Sequence, residues 1–333
     1  MPIDKQGQGP PKSARSRTGL DRLSIGVVVV ALALAAFKFV PIVRFPVLFA
    51  LGQSPVCPYD LALKSGDMIR THTARMNEIV AVSRLVESDG QGYELWDADQ
   101  GQYWIPSGEL QTLASILAEE DHQIYGSGEW GVQPGDVVLD CGAHIGAYSR
   151  RALDAGAKLV VAVEPSPTNR IALERNLAQE IEAGRVIVCD KGVWNEPGTL
   201  PFLISAQSSA ASSLISKNEA DEHSGHSHGE GHSEGTVIDV PLITIDALVA
   251  ELGLEKVDVI KMDIEGAEQN ALRGARSTLQ RHRPRLAIAS YHVVGDQFRI
   301  PEIVLAAHTG YQMRCGPCGE RDLEILPQTL LFR

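Results

Sequence analysis

Short apolar runs, each followed by a polar turn, recur along the second half of the chain and constrain its fold more than any other feature. From Asp136 onward the order is strand, glycine turn, helix and strand again. Because the runs are apolar on both faces and alternate with helical stretches, they predict a buried parallel sheet covered on each side, an α/β doubly wound fold. The five runs are Val137 to Leu139, Leu159 to Val163, Val186 to Cys189, Val257 to Met262 and Arg285 to Ala289.

The first run leads directly into a loop that carries Gly142 and Gly146. Two glycines four residues apart allow a tight turn and bring backbone N–H groups against a ligand at the start of the next helix. A dinucleotide-binding loop reads Gly-x-Gly-x-x-Gly, and its second glycine is absent here. The loop therefore predicts a nucleoside cofactor, and we assign Asp140, Gly142, His144 and Gly146 to the cofactor site.

Acidic residues follow the next two runs. Glu164 ends the second run, about 20 residues after the glycine loop, where a carboxylate can accept hydrogen bonds from both ribose hydroxyls of a bound adenosine. Asp190 ends the third run and is expected to face the adenine or the other end of the cofactor. Both are predicted cofactor-binding residues.

A denser acidic patch follows the fourth run, in Asp263, Glu265 and Glu268. Ligands of open α/β sheets bind outside the carboxyl ends of the strands, so these groups are expected beside the reactive part of the cofactor. They could hold a hydroxyl substrate, coordinate a divalent metal ion, or cap the helix that begins near Gly266. Capping accounts for one of them and not for all three, and we assign no metal ion at this point.

Together these motifs resemble the FkbM-type methyltransferase family over about residues 120 to 333. The resemblance implies a class I methyltransferase fold, which is Rossmann-like with a mostly parallel sheet and an antiparallel carboxyl-terminal strand. It also implies S-adenosylmethionine as methyl donor and a hydroxyl of a sugar or secondary metabolite as acceptor. The motifs are Asp140-x-Gly142-Ala-x-x-Gly146, Val-Glu164-Pro165, Thr244-Ile-Asp246, Ile-Lys261-x-Asp263-x-Glu265-Gly266-Ala-Glu268 and Tyr291-His292.

Methyl transfer to an alcohol requires a group that takes the hydroxyl proton. His292 follows the fifth run, which places it at the rim of the sheet near Asp263 and Glu265. A neutral imidazole with an ordinary pKa of about 6.5 can accept a proton near neutral pH. We predict His292, Asp263 and Glu265 as catalytic residues, with His292 as the base and Asp263 as the rival base.

The amino-terminal part has a different composition. Residues 1–22 form a basic tail, and residues 23–51 are largely apolar, interrupted by Pro41 and Pro46. A cleaved signal peptide, a membrane anchor and a buried helix are all consistent with this pattern. We predict the anchor, formed by an apolar helix. A re-entrant hairpin turning at the prolines would leave the catalytic domain in the cytoplasm, on a membrane-associated protein.

The remaining boundaries follow from composition. Residues 52–109 read as a small hairpin subdomain and residues 110–333 as the methyltransferase domain. Residues 218–235 are polar and contain four histidines, so they cannot contribute to a core. We interpret this histidine-rich segment as an incidental surface insertion, although its imidazoles could chelate Zn²⁺.

The net charge of −12 excludes broad nucleic-acid binding, which needs a basic surface. A small-molecule, glycan or glycolipid substrate fits better, and the membrane is the other expected partner, through the amino-terminal segment. Five cysteines are too few for a disulfide framework, although Cys315 and Cys318 are close in sequence. A reducing compartment is therefore the simpler expectation.

Two other function classes use the same sheet. A nicotinamide-dependent oxidoreductase would need the glycine fingerprint that is missing here. A binding protein that only holds S-adenosylmethionine would have no need of the acidic patch or of His292. Titration with S-adenosylhomocysteine and with NAD distinguishes the methyltransferase from the oxidoreductase.

Overall fold

The computed structural model describes residues 18–205, 208–214 and 235–333. Helices and strands alternate along most of this length. The helices are α1 (Thr18–Phe39), α2 (Pro41–Ala50), α3 (Tyr59–Val82), α4 (Leu110–Asp121), α5 (Ala147–Asp154), α6 (Pro167–Asn176), α7 (Ala178–Glu182), α8 (Ile245–Glu251), α9 (Glu268–Arg273), α10 (Arg276–His282) and α11 (Asp296–Ala307). Short 3₁₀ turns lie at Gly128–Trp130 and Ser209–Ala211.

The strands form sheets of different sizes, of which one with seven strands is the centre of the protein. The strands are β1 (Arg84–Ser88), β2 (Tyr93–Ala98), β3 (Gly101–Pro106), β4 (Val137–Cys141), β5 (Leu159–Val163), β6 (Val186–Cys189), β7 (Gly192–Val193), β8 (Gly198–Ser205), β9 (Ser213–Leu214), β10 (Gly235–Ile243), β11 (Val259–Met262), β12 (Arg285–Ala289), β13 (Met313–Cys315), β14 (Cys318–Arg321), β15 (Glu324–Pro327) and β16 (Thr329–Phe332).

The central sheet has the order β6-β5-β4-β11-β12-β16-β13. Neighbouring strands from β6 to β12 are parallel, whereas β16 runs antiparallel to both β12 and β13. All five predicted runs lie in this sheet. The predicted fold is therefore confirmed, including the antiparallel strand at the carboxyl-terminal end.

Each central strand buries both of its faces. In β4, Leu139 belongs to one core cluster and Val138 to the other, and in β11 Ile260 and Val259 divide in the same way. Since successive side chains of a strand point to opposite faces, this division places a core on each side of the sheet. Apolar residues of the helices complete both cores, which explains why the strands read as continuous apolar runs.

Residues 52–109 differ from the predicted hairpin subdomain. Strands β1, β2 and β3 do form an antiparallel sheet, with the β2–β3 turn at Asp99 and Gln100. The preceding stretch is instead the 24-residue helix α3, which packs against α4. Only a few of its side chains are buried, among them Ala62, Ser65 and Ile79, so its apolar periodicity is weak.

The predicted membrane segment, residues 23–51, is divided at Val40 between α1 and α2. Valine and leucine side chains of α1 between Val27 and Leu34 are exposed. In α2, by contrast, Phe45 and Leu48 are buried in a small core with Ala62 and Ile325. Among the described residues, no helix has both the length and the apolar character needed to cross a membrane, and the transmembrane prediction is not supported.

A disulfide joins Cys57, between α2 and α3, to Cys318 in β14. Cys315, the nearer cysteine in sequence to Cys318, carries a free thiol whose hydrogen-bond acceptor is the Val56 carbonyl. The structure therefore contradicts the expectation of reduced cysteines at Cys57 and Cys318. This bond links the segment between α2 and α3 to β14, which follows the central strand β13 in sequence.

The histidine-rich segment separates β9 from β10. Of residues 218–235, only Gly235 is described, as the first residue of β10. The predictions made for its four histidines concern residues outside the described part of the chain.

A buried ion pair connects the two strands at the middle of the central sheet. Lys261 of β11 lies opposite Asp140 of β4, and the Nζ–Oδ1 distance is 3.3 Å. The Asp140 side chain is fully buried and its other oxygen accepts a hydrogen bond from Ser149 Oγ. Burial alone lowers the pKa of Lys261, but the charges of Asp140 and Asp263 raise it on balance, so Lys261 carries its proton.

Removing either partner of this pair leaves the other charge buried without compensation. Asp140→Asn and Lys261→Met should each lower the free energy of unfolding by about 3 to 5 kcal/mol. Because the two residues share one interaction, the double variant should lose clearly less than the sum of the two single losses. Urea denaturation followed by circular dichroism measures all four proteins. Strictly additive losses would contradict the coupling of Asp140 and Lys261.

The disulfide gives a second prediction. Cys57→Ser and Cys318→Ser should each lower the free energy of unfolding by about 2 to 4 kcal/mol, because the cross-link restricts the unfolded chain. Cys315→Ser is the matched control, since Cys315 is not part of the bond. Denaturation midpoints with and without reductant, together with non-reducing peptide mapping, provide the measurement. A wild-type midpoint that does not move with reductant would speak against the bond.

Candidate functional site

Two neighbouring cavities open at the carboxyl ends of the central strands. The Glu164 cavity, named for its central carboxylate, lies at the ends of β4, β5 and β11. The Tyr125 cavity lies on the α4 side of the same edge and has a volume of about 400 Å³. Both are lined by Gly142, His144, Asp263 and Glu265. The residues after β4 and β11 therefore lie where the two cavities meet.

Glu164 is buried at the end of β5, with 4% of its surface exposed. Its Oε1 accepts hydrogen bonds from the Ser166 N–H (2.9 Å) and from Asn169 Nδ2 (3.4 Å), and its Oε2 accepts one from the His144 N–H (2.8 Å). Burial raises the pKa of Glu164 to about 7, although these donors favour the charged form. The carboxylate is thus held in one orientation and keeps lone pairs for a ligand.

The rest of the Glu164 cavity is mainly apolar. Val193, Phe202, Leu214 and Ile264 contribute its wall. The Asn169 amide oxygen is buried and has no hydrogen-bond partner within the described part of the chain. A slot with an apolar wall, one carboxylate and one free amide oxygen matches the chemistry of a nucleoside, in which a flat base adjoins a ribose with two hydroxyls.

The glycine loop is shaped by close contact with β11. Gly142 has φ +78°, and a Cβ atom there would lie 1.9 Å from the Asp263 carbonyl oxygen, so only glycine fits. Gly146 has φ +87° and begins α5 against Leu177. Gly142 therefore lines the cavities, while Gly146 has a packing role at the start of the helix.

His144 lies in the same loop, in the left-handed region at φ +51°. Its Nε2 is 2.7 Å from Ser209 Oγ, and its Nδ1 is buried with no partner among the residues described. Burial lowers the pKa of His144 to about 3, so the imidazole is neutral. A neutral ring is compatible with a cationic cofactor nearby, because it adds no repulsive charge.

Two predicted cofactor residues lie elsewhere. Asp140 lies beneath the glycine loop, where it is fully buried in the pair with Lys261. Asp190 is exposed after β6 and pairs with Arg170 at 3.4 Å. Asp140 lies within the last residues of β4 and Asp190 directly follows β6, but the side chain of Asp140 turns into the core and that of Asp190 turns to solvent.

The residues of the acidic patch after β11 have two different roles. Glu268 is buried, and its carboxylate accepts hydrogen bonds from the backbone N–H groups of Ile264 (2.9 Å) and Gly266 (3.1 Å). It therefore closes the turn that leads into α9 and accounts for the capping alternative. Asp263 and Glu265 are not needed for that turn, and both face the cavities.

His292 lies against this patch. Its Nδ1 is 2.9 Å from Glu268 Oε1, and its Nε2 is 3.5 Å from Asp263 Oδ1 and 3.4 Å from Glu265 Oε1. Burial alone would lower the pKa of His292, but Glu265 and Glu268 raise it to about 11. An imidazole that is already protonated cannot take a proton from a hydroxyl. The structure thus brings the three predicted catalytic residues together but argues against His292 as the base.

Several residues that were not predicted also form the site. Tyr125 donates a hydrogen bond to Asp263 Oδ2, and Glu119 contributes to the Tyr125 cavity. Lys261 Nζ donates to the Gly142 carbonyl at 2.7 Å and fixes the glycine loop. A lysine inside an otherwise apolar strand was the one available signal, because a buried lysine requires an anionic partner.

Ser209, in the 3₁₀ turn between β8 and β9, closes one side of the Glu164 cavity. Its backbone N–H donates to Glu109 Oε1 at 3.0 Å and its hydroxyl to Glu109 Oε2 at 2.5 Å, while its carbonyl accepts from Asn169 Nδ2 at 3.2 Å. With His144, these contacts join α4, the glycine loop and α6 across the cavity. No pattern in the sequence relates these distant positions.

Comparison with known proteins agrees with this architecture. Residues 140–313 match the family model described as Methyltransferase FkbM domain. The chain is 30% identical to methyltransferase sdnD of Sordaria araneosa over 154 residues, which covers 41% of this chain and 59% of that protein. It is 27% identical over 179 residues to the 31-O-demethyl-FK506 methyltransferase FkbM of Streptomyces tacrolimicus, covering 49% of this chain and 68% of that protein.

A crystal structure of methyltransferase FkbM from Methylobacillus flagellatus KT is also similar, at 19% identity and a TM-score of 0.45. The alignment covers 81% of this chain and 60% of that one. The match to the Sordaria protein spans less than two thirds of its length. The family match extends over more than half of the chain, from Asp140 in β4 to Met313 in β13. The chain therefore belongs to the FkbM methyltransferase family.

Proposed function

We propose that the protein is an S-adenosylmethionine-dependent O-methyltransferase that acts on a hydroxyl of a glycan, a glycolipid or a secondary metabolite. The observation that carries this proposal is the position of Asp263 and Glu265, which line both cavities. Two carboxylates at the junction can face a donor in one cavity and an acceptor hydroxyl in the other. A protein that only stored the cofactor would not need this arrangement.

The residues of the Glu164 cavity fit the proposed methyl donor. Glu164 would accept hydrogen bonds from the ribose hydroxyls, and the wall that includes Val193 and Phe202 would hold the adenine. The sulfonium end would then point towards Gly142 and Asp263, where anionic groups are close to its positive charge.

Methyl transfer requires that the acceptor hydroxyl is positioned against the methyl group and that the hydroxyl proton is removed. The hydroxyl oxygen attacks the methyl carbon, the carbon–sulfur bond breaks, and the neutral thioether S-adenosylhomocysteine leaves. An in-line arrangement with the reacting atoms about 3 to 3.5 Å apart can contribute about 7 to 11 kcal/mol to lowering the barrier. Asp263 is held in position to accept this proton. Tyr125 donates a hydrogen bond to one of its carboxylate oxygens, and the other oxygen has no hydrogen-bond partner among the described residues.

The Tyr125 cavity supports a polar acceptor. Thr112, Ser115, Glu119 and Tyr291 line it beside the carboxylates. Hydroxyl and carboxylate groups at several positions suit a molecule with several hydroxyls, such as a sugar. The Streptomyces relative is named for methylation at an oxygen, which is consistent with the same atom type here.

Two experiments test the proposal. Calorimetric titration should detect S-adenosylhomocysteine binding and no binding of NAD, and the reverse result would favour the oxidoreductase alternative. Incubation with labelled S-adenosylmethionine and fractionated cell extracts should then yield a product that carries one methyl ether. Transfer of the label to nitrogen or carbon atoms only would refute O-methylation.

Association with a membrane and a cytoplasmic catalytic domain stay predictions from the amino-terminal sequence. The same holds for the absence of nucleic-acid partners, which depends on the net charge of −12. The exposed valines and leucines of α1 are the described feature that a lipid surface could cover.

Cofactor affinity should depend on Glu164. Glu164→Ala should weaken S-adenosylhomocysteine binding about tenfold or more, because the ribose hydroxyls lose a buried acceptor worth roughly 1 to 3 kcal/mol. Isothermal titration gives the affinity. Glu174→Gln, which changes an exposed glutamate of α6, is the control and should bind normally. Unchanged affinity in folded Glu164→Ala would remove this residue from the site.

The raised pKa of Glu164 predicts that cofactor affinity depends on pH. The pKa of Glu164 is about 7 and its charged form is the better acceptor, so affinity should fall as the pH drops from about 8 to about 6. Glu164→Gln cannot ionise and should bind with an affinity that changes little over this range. An equal pH dependence in both proteins would assign the titration to another group.

Turnover should depend on Asp263. Asp263→Asn should reduce kcat at least a hundredfold, the range expected for a group that handles the reacting proton, while S-adenosylhomocysteine affinity stays within about threefold. Mass spectrometry of the methylated product measures the rate. Asp239→Asn, at an exposed position in β10, should retain activity. A variant with nearly normal turnover would exclude Asp263 from the reaction.

A further inference from the structure

Where His292 meets the acidic patch, two buried polar atoms face each other without a hydrogen bond. They are His292 Nε2 and Asp263 Oδ1, 3.5 Å apart, and neither has a hydrogen-bond partner within the described ranges. The His292 side chain is 92% buried, given its exposure of 8%. Unpaired buried polar groups are rare in native proteins, and each one requires an explanation.

Glu268 fixes the orientation of the His292 ring through a hydrogen bond with its Nδ1 atom. Glu268 is fixed by the backbone N–H groups of Ile264 and Gly266, and its Oε1 accepts a hydrogen bond from Nδ1 of His292. Nε2 of His292 faces Asp263 and Glu265, and a lone pair there is repelled by their oxygens unless a positive charge lies between them. A proton on Nε2 supplies that charge in the metal-free protein, and a divalent metal ion bound by the neutral ring would replace this proton.

We propose that Asp263, Glu265 and His292 bind a divalent metal ion, and that Glu268 orients the histidine for this purpose. One ligand atom from each of the three lies within 4.8 Å of the others. Carboxylates paired with imidazole nitrogens are typical metal partners, and a buried carboxylate behind a metal-binding histidine is the usual support. The alternative is a single proton shared by the cluster.

The donor set narrows the choice of ion. Two carboxylate oxygens and one imidazole nitrogen suit first-row divalent ions such as Mn²⁺, whereas Mg²⁺ and Ca²⁺ prefer oxygen ligands alone. Metal–ligand bonds of about 2.0 to 2.2 Å require ligand atoms roughly 3 to 3.5 Å apart. The distances from Nε2 to Asp263 and Glu265 are already in that range. Water or an acceptor hydroxyl would complete the coordination.

The position of the ion gives it a role that rests on the proposed function. Asp263 and Glu265 line both cavities, so the ion would lie where the acceptor hydroxyl meets the methyl donor. A hydroxyl oxygen bound to a divalent cation loses its proton more readily and is held in place for attack. With Nε2 bound to the ion, His292 would act as a ligand and not as the base.

The experiment measures metal binding directly, in the absence of cofactor and acceptor. The full chain is used with His223, His226, His228 and His232 replaced by serine, because the histidine-rich segment would otherwise add its own binding. MnCl₂ is titrated while electron paramagnetic resonance follows the signal of free Mn²⁺. One ion per chain should bind.

Variants locate the ion. Asp263→Asn and His292→Gln in the same background should each weaken Mn²⁺ binding at least tenfold. Glu265→Gln provides a further variant at a partly exposed position, where substitution is less disruptive to folding. His308→Gln, at a histidine that accepts a hydrogen bond from the Gly310 N–H, is the matched control and should bind normally. Circular dichroism confirms that each variant is folded.

The outcomes separate the metal site from the proposed function. Mn²⁺ binding that these variants weaken supports the site, even when no methylated acceptor is found. The metal site is overturned if the background protein binds no Mn²⁺ at about 1 mM MnCl₂, or if the variants bind as tightly as the background. S-adenosylhomocysteine binding with methyl transfer would in that case leave the proposed function in place.

Discussion

The pairing of Lys261 with Asp140 is the interaction on which the site depends. It joins the two middle strands of the sheet at their carboxyl ends, and the same ammonium group donates to the Gly142 carbonyl. One buried cation thus fixes the glycine loop beside the segment that carries Asp263. Both cavities are bounded by these two segments, so their shape depends on this contact.

Much of the fold could be predicted, because its signal is local. A parallel strand buried on both faces is a continuous apolar run, and the runs around Leu139, Val161 and Ile260 all appear in the central sheet. The positions of Glu164 and Asp263 followed from the rule that ligands bind at strand ends. That rule gives the end of a strand but not the direction of a side chain, so the burial of Asp140 and the exposure of Asp190 could not be predicted.

Other features depend on contacts between distant parts of the chain. The bond between Cys57 and Cys318, the bridge from Ser209 to Glu109 and the packing of Phe45 have no signature in the local sequence. The charge state of His292 also depends on residues that are distant in sequence. An isolated histidine would titrate near neutral pH, and only the placement of Glu265 and Glu268 around it changes that.

The attachment of α2 has a consequence for the order of folding. Phe45 and Leu48 precede the central sheet in sequence, yet Cys318 and Ile325, which help to bury them, are synthesised only after its strands β4 to β12. The sequence separation of the cross-linked cysteines is 261 residues. During synthesis α2 therefore carries apolar side chains that lack part of their final cover, and such surfaces are targets for aggregation and for chaperones. The amino-terminal helices can reach their native packing only after most of the methyltransferase domain has been made.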